Sequence, residues 1–108
     1  MIYEYRKYHM LPGGMQKENE RLAKVVFPLF QTHGMTVVGC WTNLIGGASN
    51  ELIYMLGYKD LADRERAWAS FQDDPDWKKE IASMAGQPPP VSHIDNVILR
   101  PTAYSPMK

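Results

Sequence analysis

Residues 35–59 read MTVVGCWTNLIGGASNELIYMLGYK, and their pattern is the clearest structural signal in the chain. The first part, 35–45, and the last part, 51–59, are rich in β-branched and aromatic residues, which favour strands. Gly46 to Asn50 between them is a cluster of turn residues. Two strands joined by such a short, glycine-rich connection are expected to pair as an antiparallel hairpin.

One more strand is predicted at each end of the chain. Residues 2–10 contain three tyrosines and no glycine or proline, and Pro12-Gly13-Gly14 ends this segment. The last strand is Val91 to Arg100, which follows the extended connector Pro88–Pro90. With a helical region in each half, the order predicts an α+β, ferredoxin-like βαββαβ sandwich: a four-stranded antiparallel sheet with helices on one face.

The helices are predicted from apolar spacing and from capping residues. In the first half, apolar side chains and one histidine recur at intervals of three and four: Leu22, Val25, Val26, Leu29, Phe30 and His33. Pro28 predicts a kink within this helix, and Gly34 predicts its end. In the second half, Asp60 and Asp74 are predicted N-caps of two short helices, because each precedes an amphipathic segment.

Composition limits the possible functions. A chain of 108 residues with 44% hydrophobic content predicts one domain over residues 1–108, of which 101–108 form a C-terminal tail. Twelve basic and twelve acidic residues leave no positive excess, so no nucleic-acid partner is expected. Short apolar runs and an N-terminus that carries charges predict no membrane partner and a cytoplasmic location. A single cysteine, Cys40, excludes an internal disulfide or a multi-cysteine zinc site.

The predicted sandwich leaves one face of the sheet without helices. The strand segments carry many large apolar side chains, among them tyrosines 3, 5, 8, 54 and 58 and Trp41, so either alternating set contains aromatic residues. An apolar face of this size is larger than soluble monomers usually expose. We therefore expect a homodimer in which two copies pack face to face about a two-fold axis. The alternative is that the tail from Pro101 to Lys108 folds back over the face.

Short segments along nearly the whole chain resemble the NIPSNAP family. The resemblance begins with Tyr3-Glu4-Tyr5-Arg6-Lys7-Tyr8 and is carried further by Pro28-Leu29-Phe30 with His33-Gly34, Val38-Gly39-Cys40-Trp41-Thr42, Ile45-Gly46, Asn50-Glu51, Tyr58, residues 61–66, Asp74-Pro75-Asp76-Trp77, residues 98–102 and Ser105-Pro106. Each segment is short, but their succession in order is specific.

The resemblance implies a dimeric α+β barrel, in which two ferredoxin-like units close around an internal cavity. The family is mostly uncharacterised. Related barrels include cofactor-free oxygenases, isomerases and haem-degrading enzymes, so the fold does not assign a reaction. Many members carry a histidine and a tryptophan in the third strand, where this chain has Tyr54 and Leu56. No cofactor is expected.

Glu4 and Arg6 are the first candidates for a chemical role. They lie two residues apart on a strand and therefore share a face. By analogy with the family, that face is expected to look into the barrel, away from the helices. There Glu4 would act as a proton acceptor and Arg6 as an anchor for an anionic group. The alternative is a structural ion pair, because buried charges usually need partners for stability alone.

Tyr54 completes the predicted catalytic set, since a phenol can donate a proton or orient a carbonyl group. The predicted ligand-binding residues are Tyr8, Trp41, Asn43, Tyr58 and Arg100. The alternative for the aromatic ones is that they belong to the core. No metal site is expected, because the three histidines show none of the usual ligand spacings. His93 and Asp95 share a strand face, but two residues are too few.

Two functions from different classes follow from these residues. The first is a binding site for a small apolar or aromatic ligand in the barrel interior, with cofactor-independent proton transfer or monooxygenase-type chemistry. The second is a non-catalytic dimeric binding or adaptor module, in which exposed residues such as Tyr104 and Pro106 matter more than a cavity. A partly polar void would favour the first function, and a filled interior would favour the second.

Overall fold

The computed structural model describes all residues from Met1 to Lys108. The elements in chain order are β1 (Ile2–Met10), α1 (Gly14–Arg21), a π-helical turn (Leu22–Val26), α2 (Phe27–Thr32), β2 (Thr36–Thr42), β3 (Glu51–Tyr58), α3 (Leu61–Asp73), α4 (Pro75–Ser83) and β4 (Val91–Leu99). No helix is both long enough and apolar enough to cross a membrane.

The four strands form one antiparallel sheet in the order β2-β3-β1-β4. The two central strands, β1 and β3, pair over their full lengths, with Glu4 opposite Leu56 and Arg6 opposite Tyr54. The edge strand β4 places Asn96 opposite Arg6 on the other side of β1. This topology confirms the predicted ferredoxin-like α+β fold with a four-stranded antiparallel sheet.

The connection between β2 and β3 is longer than the sequence suggested. Strand β2 ends at Thr42 instead of residue 45, so Leu44 and Ile45 lie in the loop and are 95% and 93% exposed. Asn43 turns back and donates to the carbonyl of Ala48 and to the Glu51 carboxylate. These bonds replace strand pairing and end β2 early. We call residues 43–50 the hairpin loop.

Pro28 distorts the first helical segment, as predicted, and it does so through a π-helical turn. Proline has no N–H to give to the carbonyl of Lys24 one turn earlier. The preceding turn widens, and the N–H of Phe27 reaches the carbonyl of Leu22. The segment ends at Gly34, whose φ of 83° lies in the left-handed region that favours glycine.

Both predicted N-caps are present. The Asp60 carboxylate accepts a hydrogen bond from the N–H of Asp63 at 2.8 Å, and the Asp74 carboxylate accepts one from Asp76 at 2.7 Å. His33, at the end of α2, bonds to Asp74 at 2.6 Å through Nε2. The cap of α4 is therefore also tied to the end of α2.

The two faces of the sheet differ in what covers them. Tyr54 of β3 packs against Phe27 and Phe30 of α2, and Arg6 of β1 lies under Trp68 of α3. Even-numbered residues of β1 and β3 therefore face the helices. The prediction that Glu4 and Arg6 look away from the helices into the barrel is wrong. Alternation shows that two residues share a face but does not show which face is covered.

The opposite side of the sheet has no helix over it. We call it the open sheet face, and its apolar members are Tyr5, Trp41, Ile53, Met55, Val97 and Leu99. Trp41 remains 50% exposed and Val97 52% exposed. Tyr104 in the tail is itself 87% exposed. The tail therefore does not cover this face, and the alternative of a folded-back lid is wrong.

Candidate functional site

The Glu4 side chain is the centre of a polar cluster between the sheet and α3. Its carboxylate is fully buried and accepts hydrogen bonds from the phenol of Tyr58 at 2.8 Å and the amide of Asn96 at 2.9 Å. Arg64 of α3 donates to both carboxylate oxygens, at 3.0 and 3.1 Å. Arg6 adds a bond at 3.1 Å. Four side chains therefore donate five hydrogen bonds to one carboxylate.

These contacts fix the charge of Glu4. Burial alone would raise the pKa of Glu4, but the hydrogen bonds from Arg64, Asn96 and Tyr58 and the charge of Arg6 more than offset burial. The result is a pKa of about 2, well below the ordinary value of 4.5. At neutral pH the carboxylate is ionised, and its oxygens already serve as acceptors within the chain.

Acid should therefore weaken the fold through Glu4. Because the folded pKa is about 2 and the ordinary value is 4.5, Glu4 stabilises the protein fully above pH 5. This contribution, roughly 3 kcal/mol, is lost progressively as the pH falls from 5 towards 2. We expect Glu4→Gln to show a smaller fall in the free energy of unfolding than wild type between pH 5 and 2.5 in urea denaturation. Equal pH dependence in the two proteins would contradict this.

Arg6 lies between the polar cluster and a group of aromatic rings. Its Nε donates to the phenol of Tyr54 at 2.8 Å and its Nη1 donates to Glu4. The guanidinium carbon lies 5.0 Å from the ring centroid of Trp68, within cation–π distance. The two hydrogen bonds use Nε and Nη1 of the guanidinium group.

Three tyrosines extend the network as neutral hydroxyl groups. The phenol oxygens of Tyr8 and Tyr54 are 2.8 Å apart, and the Tyr58 hydroxyl accepts a bond from the indole N–H of Trp68. Burial raises the pKa of Tyr54 well above its ordinary value. Burial and the hydrogen bond to Glu4 raise the pKa of Tyr58. Both phenols are therefore protonated at neutral pH.

A cavity of about 340 Å³ opens beside this network, between the helices and the β1–β4 side of the sheet. Its wall is mainly apolar and aromatic, and it includes Phe30, Trp68, Phe71, Trp77 and Ile94. Arg6 and Tyr8 reach it from β1. A largely apolar pocket with a few convergent polar groups is typical of a small-molecule site. We call it the helix–sheet cavity.

A second charged pair lines the cavity on the side of α1. Glu18 is fully buried and accepts two hydrogen bonds from Arg21 Nη2, at 2.9 and 3.0 Å. Arg21 lies over the ring of Trp77, and its Nε atom is buried without a hydrogen-bond partner. A buried donor left unpaired costs stability.

The comparisons with known proteins identify the family of this chain. The family model described as NIPSNAP matches residues 3–106, which is nearly the whole chain. The chain belongs to the NIPSNAP family. The human protein NipSnap homolog 3B is 25% identical over 79 residues, which are 73% of this chain and 31% of that protein. The chain thus spans less than a third of its human relative.

Two bacterial structures share the NIPSNAP chain's fold over almost their full lengths. A NIPSNAP family protein from Agrobacterium tumefaciens is 27% identical, with a TM-score of 0.84 and coverage of 99% of this chain and 98% of that one. A second A. tumefaciens protein has a TM-score of 0.86 at 23% identity and 100% coverage of both chains. At 23% identity, the similarity to this second protein shows a shared fold only.

The NIPSNAP chain brings together five of the eight predicted site residues. Glu4, Arg6, Tyr8, Tyr54 and Tyr58 form one connected network on the helix side of the sheet.

The other three predicted site residues lie apart from this network. Trp41 lies on the open sheet face, and Arg100 is exposed just beyond the end of β4. Asn43 holds the hairpin loop. Their prediction assumed that the site faces the barrel interior, and the network faces the opposite way.

Several residues of the network were missed in the sequence. Arg64, Trp68 and Phe71 lie at spacings of four and three on α3 and so share one side of the helix. Arg64, one turn before Trp68, was the signal that this face also carries a charge. Asn96 gave no signal, because only the pairing of β1 with β4 brings it to the site. The Glu18–Arg21 pair is local to α1, but its position beside the cavity depends on how that helix packs.

Proposed function

We propose that the chain is a homodimeric NIPSNAP protein that binds a small apolar or aromatic ligand carrying an anionic group. The ligand would occupy the helix–sheet cavity of each copy and not the space between the two sheets. The observation that carries this proposal is the position of Arg6, a guanidinium group that lines a cavity otherwise walled mainly by aromatic and aliphatic side chains.

Charge favours an anion in this cavity. Glu4 is the one carboxylate in contact with two guanidinium groups, those of Arg6 and Arg64, so the cluster carries a net positive charge. The phenols nearby are neutral. A carboxylate or enolate oxygen next to Arg6 would receive a charge-assisted hydrogen bond from Nη2, which is among the stronger polar contacts in proteins.

The aromatic wall favours a flat ligand body. The rings of Trp68, Phe71 and Trp77 pack in series, with centroid distances of 5.6 Å and 4.7 Å. Planar apolar groups gain both area burial and ring–ring contact at such surfaces. The volume of about 340 Å³ suits a molecule with one or two rings.

Binding is better supported than proton transfer. A general base works best with a pKa near the working pH, whereas the pKa of Glu4 is about 2 and burial raises that of Tyr54. We therefore assign Glu4 the task of holding Arg6 in position. Monooxygenase-type chemistry would have to draw its reactivity from the ligand, with Tyr8, which lines the cavity, as a hydrogen-bond donor to it.

The dimer is proposed from the open sheet face. Four-stranded sheets bury at least one face, and here the second face also presents aromatic and branched side chains to solvent. A two-fold related copy would cover it with an identical surface. The sheets would then form the barrel, while each helix–sheet cavity remains on the outer side.

A charge placed on the open sheet face should separate the copies. We expect Val97→Glu to give a particle of 12.4 kDa where wild type gives about 25 kDa in light scattering at micromolar concentration. Leu61→Glu is the control, because Leu61 is also exposed but lies on α3, away from the face. A wild-type particle of 12.4 kDa, or a Val97→Glu variant that remains dimeric, would contradict the proposed interface.

The adaptor function remains the second candidate because of one observation. Leu44 and Ile45 at the hairpin loop are almost fully exposed, and such a pair is unusual outside a protein interface. In that case the helix–sheet cavity would be incidental, and removing the two apolar side chains would abolish partner binding without affecting small-molecule binding.

Native mass spectrometry of untagged protein from its own host tests the proposal. We expect a mass of twice the chain plus an additional small molecule that is released on denaturation. The released molecule should contain an aromatic or extended apolar part and an acidic group. A dimer that carries no additional mass and binds none of several aromatic carboxylates would overturn the ligand-binding function.

A further inference from the structure

The open sheet face also carries a group of polar side chains at one end. His9 of β1 and His93 of β4 are direct cross-strand partners, and Asp95 lies two residues from His93 on the same face. Ligand atoms from these three residues all lie within 4.8 Å of one another. The helix–sheet cavity is on the other side of the sheet, so this group is separate from the proposed ligand site.

We propose that His9, His93 and Asp95 bind a divalent transition-metal ion of the Zn²⁺ type. Two imidazole nitrogens and one carboxylate oxygen are the donor set that such ions prefer, whereas Mg²⁺ and Ca²⁺ require mostly oxygen ligands. Three protein ligands leave a fourth tetrahedral position open to water.

The distances require only local adjustment. His9 Nε2 lies 2.8 Å from an Asp95 carboxylate oxygen, and the two imidazole rings are parallel with centroids 4.0 Å apart. In a tetrahedral zinc site with bonds of about 2.0–2.1 Å, neighbouring ligand atoms are roughly 3.4 Å apart. The metal would replace the His9–Asp95 hydrogen bond. Within one copy His93 and Asp95 are exposed, so their side chains have room to rotate. In the proposed dimer the ion would lie on the barrel side of the sheet.

The partners of the Nδ1 atoms of His9 and His93 also fit metal binding. His9 Nδ1 is 3.8 Å from Glu51 Oε2, and His93 Nδ1 is 3.1 Å from the hydroxyl of Ser92. Metal-bound histidines usually donate a hydrogen bond from their second ring nitrogen to a carboxylate, carbonyl or water, which orients the ring. Glu51 is itself fixed by Lys7 at 3.2 Å and by Asn43 at 2.8 Å.

The test is a titration of the untagged chain with Zn²⁺ by calorimetry and with Co²⁺ by visible absorption, after removal of metal by a chelator. We expect one ion per chain with a Kd in the micromolar range or below, and a tetrahedral cobalt spectrum. His93→Ala, on an exposed position of an edge strand, should weaken binding at least tenfold without altering the fold. His9→Ala and Asp95→Asn should weaken binding in the same way.

His33→Gln is the matched control, since His33 is the third histidine and lies at the end of α2, where it contacts Ser70 and Asp74. It should bind zinc as wild type does. The proposal is overturned if wild type binds only at millimolar zinc, if His93→Ala and His9→Ala bind like wild type, or if His33→Gln causes the loss instead. Circular dichroism of each variant separates lost ligands from lost structure.

Discussion

Replacing Glu4 by alanine should lower the free energy of unfolding by about 3–5 kcal/mol, the cost typical of breaking a buried ion pair from one side. The carboxylate is fully buried and is bonded to both Arg6 and Arg64. Without it, the Arg6 guanidinium would keep its charge in a largely apolar setting. Tyr58 and Asn96 would each lose an acceptor as well. Urea denaturation at pH 7 measures this loss.

Glu4→Gln is the matched control for this effect. Glutamine keeps the shape and one acceptor oxygen but removes the charge, so its loss of stability should be smaller than that of Glu4→Ala. If Glu4→Ala is too unstable to purify, the glutamine variant still measures the charge contribution. A loss below about 1 kcal/mol for the alanine variant would show that the cluster contributes little to folding.

Arg6→Met should remove most of the affinity for an aromatic carboxylate. Methionine fills much of the same space but donates no hydrogen bond. Hydrogen bonds to charged groups contribute about 1.5–3 kcal/mol, so affinity for 2-naphthoate should fall by roughly ten- to 150-fold. The neutral analogue 2-naphthamide should lose much less affinity. Isothermal titration calorimetry measures both.

Arg64→Met provides the control within the cluster. Arg64 also forms an ion pair with Glu4, so this variant, like Arg6→Met, removes one of the two guanidinium groups that contact the Glu4 carboxylate. Arg64 is absent from the cavity wall, whereas Arg6 is part of it. We therefore expect Arg64→Met to retain naphthoate binding. If both variants lose affinity equally, the effect comes from the disrupted cluster and not from contact with the ligand.

Much of the fold could be predicted because its signals are local. The capping carboxylates Asp60 and Asp74 act on neighbouring backbone N–H groups, and Pro28 acts on the preceding helical turn. The hairpin follows from two strand segments close in sequence. Its loop was misjudged because Leu44 and Ile45 read as strand residues, whereas Asn43 bonds to the loop and ends the strand.

The site was predictable only in part because it depends on contacts between distant elements. Strand alternation grouped Glu4 and Arg6 correctly but did not determine the covered face. That choice is made by the packing of Phe30 and Trp68 against the sheet. The histidine group was missed for the same reason, since His9 and His93 meet only through the register of β1 and β4.

The three tryptophans allow a direct test of where the ligand binds. Trp68 and Trp77 line the helix–sheet cavity, whereas Trp41 lies on the open sheet face. In a titration with 2-naphthoate followed by the indole N–H resonances in ¹H–¹⁵N spectra, we expect Trp68 and Trp77 to shift with one saturating affinity while Trp41 stays unchanged. Shifts confined to Trp41, or no shift at any of the three, would contradict a ligand site between the helices and the sheet.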